Sequence, residues 1–408
     1  MSATIFEKVT DCMVDTCKIV GKSLNIILGR NMPDFSTLFV ELGLCNKSKV
    51  YPRLYNYYFE KYYKSYIVTC PVGLAVEDFE KVSPQIAHFL GVEEKDLRIK
   101  RIIHDIEIKV ITGVPSAVYN PEIHKVKGFK IPIGIDLDTL EVRYWDLADP
   151  ANAHGYAAGG TRCGKSTLIR LISTILIQKS VADVQLSWIN IKKVDGIEFK
   201  DCKNVVHYTE NEEEATDILI KNVEEMNRRY TLFSKHKGVK NIWNYRSKVN
   251  KMPIRLIIIE ELAGFEHDKE FHQTLKLIAQ QGAGAGIFLL VATQLPNKDV
   301  LPNLTKQNIN TVFGGKCKDA IRSDIIVDDG ELHKLRGKGH FKVFDCNSYG
   351  SELQVFWIDD EVVEDIAQRN LKRKFKQNKR AIEADSSITH GDNDEHDKSI
   401  LSPQLYHK

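Results

Sequence analysis

Residues 159–166 read GGTRCGKS. The stretch satisfies Gly-x-x-x-x-Gly-Lys-Ser, the pattern of a phosphate-binding P-loop. Gly159 and Gly164 let the backbone curl, so that the N–H groups of Gly160, Thr161, Arg162 and Cys163 turn inward toward phosphate oxygens. Lys165 adds a point charge for the β- and γ-phosphates of ATP, and the Ser166 hydroxyl suits Mg²⁺. From Thr167 onward TLIRLISTILIQ has a helical pattern, and its positive end would face the same anion.

The surroundings of the loop set the fold class. HGYAAGG before it reads as a strand running into a turn. Downstream, LSWINI is a buried strand, EEEATDILIKNVEEMNRRYTLFSKHK a long helix and IRLIIIEEL a strand with charges at its end. KEFHQTLKLIAQQGAGA is then a helix ending in glycines, and GIFLLVATQ another strand. Strand alternating with helix predicts an α/β P-loop NTPase core of the RecA-like kind, with a mostly parallel sheet flanked by helices.

Hydrolysis of a nucleoside triphosphate needs carboxylates beside the phosphate cradle. Glu260 and Glu261 end an apolar run, where burial is costly unless the acids meet a cation or water. The parallel-sheet rule puts them at the carboxyl edge, next to the P-loop. Glu260 is assigned to the Mg²⁺ side and Glu261 to the attacking water. Gln294, with Thr293, ends the next apolar strand, where an amide can bond water or the γ-phosphate. Asn190 and Lys192 hold a comparable edge position after LSWINI.

Four segments follow from the patterning. Residues 1–50 read as a helical N-terminal segment, 51–150 as a small α+β module with connecting strands, 151–358 as the nucleotide domain, and 359–408 as a helix end with a disordered polar tail. Tyr51, Tyr55, Tyr57, Tyr58, Tyr62, Tyr63 and Tyr66 crowd the start of the module. Two readings fit them: a stacking platform for single-stranded nucleic acid, or a sheet packing tyrosines on one face, and the second is preferred. The basic block LKRKFKQNKR reads as a solvated helix end rather than a phosphate-binding arm.

Composition narrows the class further. With 408 residues and a formal charge of +2, the chain can bury a large core and has no global basic field, so any nucleic-acid surface must be local or made by assembly. Its eight cysteines form no CxxC pair, which points to reduced thiols in a cytoplasm; zinc at Cys12 and Cys17 is the lesser alternative. No run approaches the roughly 20 apolar residues needed to cross a bilayer.

Six segments in order now carry a resemblance. AAGGTRCGKS, INIKKVDGIEF, EEMNRRYTLFSKHKGVKNIWNYR, LIIIEELAGF, LIAQQGAGAGIFLLVATQLPNKDVL and IRSDIIVDDGELHKLRGKGHF together resemble the motor domain of the FtsK/SpoIIIE family of hexameric DNA translocases, over about residues 115–358. Two positions depart from that family's pattern: Glu260 stands where aspartate is usual, and Cys163 where glycine is common. Neither removes a catalytic group.

The resemblance implies an ATPase that forms a homo-hexamer and threads double-stranded DNA, gripping its phosphates independently of sequence. It also implies an arginine that completes a neighbouring subunit's site. Arg322 matches that position, with Arg336 in reserve and an intramolecular ion pair as the alternative for Arg322. No stretch resembles the family's large membrane-spanning N-terminal region or its C-terminal winged helix. The short form resembles FtsK-like coupling proteins of Gram-positive plasmids and integrative conjugative elements, which implies a relaxase or membrane secretion channel as partner. A nucleotide-gated adaptor without motor activity is the competing reading.

Overall fold

The computed structural model describes residues 32–113, 117–193 and 195–372. The chain divides into two compact units. The smaller takes in the residues up to 118 together with 135–141 and 333–336, and the larger takes the rest. The expected tail, the basic block after 372 and the pair Cys12 and Cys17 lie outside the described residues.

The smaller unit is a four-stranded sheet in the order β1-β2-β4-β3, covered by helices. Helix α1 (Phe35–Glu41) comes first, then β1 (Leu54–Phe59) and β2 (Tyr63–Thr69). Helices α2 (Val76–Glu80) and α3 (Ser83–Leu90) precede the hairpin of β3 (Leu97–Ile102) and β4 (Asp105–Ile111). Asp34 starts α1, accepting from the N–H groups of Ser36 and Thr37 at 3.1 and 3.2 Å. Phe35, Leu38 and Phe39 of α1 enter the same core as Val68, Ile106 and Ile108, so α1 packs with this module. Tyr55, Tyr57, Tyr58, Tyr63 and Tyr66 lie on β1 and β2. Tyr57 and Tyr66 are buried, and the Tyr58 hydroxyl donates to Glu107 at 2.6 Å.

The larger unit carries a sheet of ten strands, in the order β6-β5-β14-β13-β12-β7-β11-β10-β8-β9. Its first strands are β5 (Lys130–Asp136), β6 (Val142–Asp146) and β7 (Gly155–Ala158), and α4 (Lys165–Ile177) follows the glycine loop. Next come β8 (Val184–Ile189), β9 (Val205–Thr209), the long helix α5 (Glu212–Ser234) and α6 (Ile242–Lys248). Then follow β10 (Ile254–Ile259), α7 (Lys269–Ala285), β11 (Ile287–Thr293) and α8 (Asn303–Lys306). The unit ends with β12 (Thr311–Gly315), α9 (Ala320–Val327), β13 (His340–Asp345), β14 (Ser348–Val355) and α10 (Asp360–Arg369).

Six neighbouring strands, from β12 across to β9, run parallel. Strands β10 and β11 are buried at every residue, as expected when helices cover both faces. Beyond β12 the direction changes, and β13 and β14 pair antiparallel. Strand β5 joins the ten-stranded sheet, although its sequence position groups it with the preceding module. The reason is local: a Cβ on Gly134 would lie 2.2 Å from the Gln354 carbonyl oxygen, so only glycine lets β5 close onto β14 there.

A buried arginine ties α5 to α7. Arg229, fully buried, contacts Glu225 at 2.7 Å and donates to the Ala285 carbonyl at the end of α7 at 2.9 Å. Although burial opposes its charge, hydrogen bonds from Arg228 and Arg229 hold the Glu225 carboxyl down at about 2.

Candidate nucleotide site

The glycine loop leaves β7 at the carboxyl edge of the parallel strands and is clamped by backbone from two distant segments. Gly160 donates its N–H to the Lys316 carbonyl at 2.8 Å, and Gly339 donates to the Cys163 carbonyl at 2.7 Å. Gly159, Arg162 and Gly164 all have positive φ, at 151°, 63° and 114°. A Cβ on Gly159 would meet the Gly315 backbone at 2.9 Å, and one on Gly164 the Gly339 nitrogen at 2.6 Å. Gly164→Ala therefore combines left-handed strain with a backbone clash. We expect it to cost about 3 kcal/mol or more in chemical denaturation, with loss of nucleotide binding.

Cys163 has a structural part here. Its side chain is buried, and a Cβ on Gly315 would lie 2.7 Å from its sulfur. The thiol thus fills the space left by the glycine on β12, which accounts for a side chain at a position where the resembling family commonly has none.

Lys165 opens α4. Its ammonium donates to the Gly159 carbonyl at 2.6 Å and the Gly160 carbonyl at 3.2 Å. Burial lowers its pKa, with the nearby charge of Lys192 adding to the effect, while Cys163 and Glu261 oppose it. Thr161, Arg162 and Ser166 are exposed beside it, and Thr167 is half-buried. The first turn of α4 contains no acidic residue, so nothing there competes for the helix's positive end.

Glu260 and Glu261 follow β10 directly. Strand register brings them level with the loop even though β11 lies between: Ile259 faces Val291, and Val291 faces Tyr156 of β7. Glu260 is 4% exposed, and neither carboxylate oxygen has a hydrogen-bond partner among the described residues. Its pKa rises to about 8, first through burial and then through the charges of Asp195 and Glu198, with Lys192 opposing. Orphaned, buried carboxylate oxygens at the rim of a phosphate loop fit a divalent cation, the partner such a group needs. Glu261 lies within ion-pair distance of Lys192 at 2.9 Å, yet its carboxylate oxygens are also buried without a hydrogen-bond partner among the described residues.

The remaining candidates divide into two groups. Thr293 faces Ala158 in register. Its hydroxyl is buried without a partner among the described residues, and the exposed Gln294 follows it. Asn190 is fully buried and donates to the Tyr208 hydroxyl at 2.9 Å. The arginines are elsewhere. Arg322 lies in the first turn of α9, paired with Asp319 at 2.6 Å, and both side chains are more than 40% exposed. Arg336 pairs with Asp96 at 3.3 Å within the smaller unit. Three groups at the site were not marked by the sequence: Gly315, whose backbone packs against Gly159, Gly339, which clamps the loop, and Asp195, which raises Glu260. The glycine pair in FGGK and the spaced glycines of GKGH were the only available signals.

Residues 120–263 match the model of the FtsK/SpoIIIE family. The chain is 28% identical over 332 residues to the DNA translocase FtsK of Lactococcus lactis subsp. lactis (strain IL1403), covering 74% of this chain and 42% of that protein. It is 29% identical over 327 residues to the DNA translocase FtsK of Streptococcus agalactiae serotype V (strain ATCC BAA-611 / 2603 V/R), covering 74% and 39%. The chain thus spans about two-fifths of the length of the curated relatives it matches.

Among solved structures it is similar to the pCW3 conjugation coupling protein TcpA, a monomer form with ATPγS, at TM-score 0.56 and 19% identity over 80% of this chain and 96% of that one. It is also similar to ATPases 2 and 3 of EssC from Geobacillus thermodenitrificans, at TM-score 0.55 and 16% identity over 67% and 53%. These two likenesses carry the P-loop ATPase fold. Among the described residues no helix is long and apolar enough to cross a membrane.

Proposed function

We propose that this chain, which carries an FtsK/SpoIIIE-family domain, hydrolyses ATP and couples the turnover to movement of double-stranded DNA, serving the transfer of plasmid or mobile-element DNA. One observation supports this most: Lys165, Lys192, Glu260 and Glu261 influence one another electrostatically at a single edge of the parallel sheet. A buried ammonium, a cradle of backbone N–H groups and two carboxylates are the parts that phosphoryl transfer to water requires.

Each side chain then has a role. Gly160 and Cys163, expected to point inward, give their N–H groups to the Lys316 and Gly160 carbonyls, so the other loop N–H groups and Lys165 hold the β- and γ-phosphates, with Lys165 exchanging the loop carbonyls for phosphate oxygens. Ser166 and Glu260 hold Mg²⁺, which when bound neutralises charge on the phosphate oxygens. Glu261 takes the proton of the attacking water, for which it must part from Lys192. Gln294 orients that water or the γ-phosphate. Arg322 reaches a neighbouring subunit of a homo-hexamer, leaving Asp319 to do so. Its pair is solvent-exposed and weakly held, so the exchange is cheap.

The test is steady-state ATP hydrolysis with and without linear duplex DNA, alongside a mass determination with nucleotide bound. We expect DNA to stimulate turnover, Lys165→Ala to abolish it, and Arg322→Ala to lower it about 10³-fold while leaving nucleotide binding intact. A full rate without DNA, unchanged when DNA is added, would count against a motor. A nucleotide-gated adaptor, binding a relaxase, replication protein or membrane channel with negligible turnover, is the second reading. The grip of Lys192 on Glu261 favours it, and nucleotide-dependent partner binding without hydrolysis would identify it.

A further inference from the structure

The smaller unit has one end unlike the rest of its surface. Thr69 closes β2 opposite Asp105, the first residue of β4, and donates its N–H to the carbonyl of Arg53, just ahead of β1, at 2.9 Å. The loop after β2 and the β3–β4 turn therefore emerge at the same end of the sheet. Asn46 brings a third loop there, donating from its side chain to the Val72 carbonyl at 2.9 Å.

Two apolar side chains stand out from this end. Val72 is 93% exposed and Ile103 82%. Ile103 is also strained: its φ of 53° is left-handed, a conformation that a β-branched residue avoids and that Asn or Gly would adopt cheaply in such a turn. Arg101 donates to the Ile103 carbonyl at 3.2 Å, bracing the turn. Folding alone gives no reason for a bare isoleucine there, since the residue buries little and costs conformational energy.

Cations surround the two tips. Lys47, Lys49, Arg53 and Arg101 are all exposed on the same loops and strand ends. Two of the acids nearby have partners, while Glu77 is exposed at the start of α2. Asp105 accepts from the Tyr55 hydroxyl at 2.7 Å, and Asp78 pairs with Lys81 at 3.0 Å. Apolar tips ringed by basic side chains match an anionic lipid surface, where the tips enter the headgroup boundary and the cations stay among the phosphates.

We propose that this end of the smaller unit docks on an anionic bilayer surface, holding the protein at a membrane through direct lipid contact rather than only through a partner. The inference uses no residue of the nucleotide site and stands apart from the activity proposed for it.

The full chain is sedimented with vesicles of phosphatidylcholine alone or of equal parts phosphatidylcholine and phosphatidylglycerol. Binding to the mixed vesicles is expected, weakening as salt rises. Lys47→Ala and Lys49→Ala should each weaken it about fivefold. Val72→Ser with Ile103→Asn should weaken it about tenfold or more, and Ile103→Asn relieves the turn, so misfolding is not the cause. Nucleotide turnover by these variants checks the fold. Wild-type protein that leaves both vesicle types in the supernatant overturns the proposal. So do variants that bind mixed vesicles as wild type does, or that lose affinity for duplex DNA where wild type shows none for vesicles, which would assign the surface to nucleic acid.

Discussion

Glu261→Gln is expected to bind ATP as wild type does and to hydrolyse it about 10²–10⁴-fold more slowly, the usual contribution of a positioned general base. The amide keeps the size of the side chain and its place after β10 but cannot accept a proton. It also breaks the ion pair with Lys192, which is 36% exposed and can turn to solvent. The thermal shift on adding ATP should therefore match wild type while single-turnover hydrolysis falls. A variant that hydrolyses at the wild-type rate would remove Glu261 from the reaction and leave Gln294 as the group that handles water.

Glu260→Gln should change stability in a direction opposite to most substitutions of a buried acid. Its carboxyl has a pKa of about 8 in the fold, against an ordinary 4.5. Below about 4.5 it is protonated in both the folded and unfolded chain, and burial brings no ionisation cost. Between these values the folded protein binds a proton that the unfolded chain has released, so stability falls as pH rises. Above about 8 the full cost stands, on the order of a few kcal/mol. In chelator at pH 8.5, Glu260→Gln should then be more stable than wild type to denaturant by that order, and the gain should shrink toward pH 5. Adding Mg²⁺ with ATP should stabilise wild type more than the variant. Equal stability at pH 5 and 8.5 would show that Glu260 is solvated and poorly suited to a metal.

How far the sequence goes toward this site depends on whether each signal is local. GGTRCGKS is local: its glycines, lysine and following helix are a contiguous instruction, and the structure places them at the end of β7 as one turn. The acids of IRLIIIEEL are nearly as clear, because an apolar run of strand length ending in charge can stop only at a sheet edge. The order of the strands is a different matter. Nothing in the local pattern says that β11 lies between β7 and β10, since each apolar run would pair with any other. The approach of Gly315 and the clamp at Gly339 are hidden for the same reason. They are contacts between segments far apart in the chain, and a glycine there looks like any turn.

Strand β5 shows the opposite failure. Its place in the chain groups it with the smaller module, while a glycine packed on β14 commits it to the larger sheet. Arg322 sits between these cases. Asp319 three residues before it caps the helix and meets the guanidinium, so Asp-x-x-Arg at a helix start already contained the ion pair. Whether that arginine also serves a neighbour is a property of an assembly, which one chain's pattern does not encode.

The fit of the Cys163 sulfur against Gly315 makes these two positions dependent on each other through time. With sulfur 2.7 Å from where a methyl group on residue 315 would begin, a lineage that keeps the thiol is bound to glycine on β12. Phe341 presses on the same spot at 3.0 Å, so shrinking residue 163 alone does not release the constraint. Residue 315 is thus held as glycine by two neighbours at once, and a side chain there needs both 163 and 341 to give way.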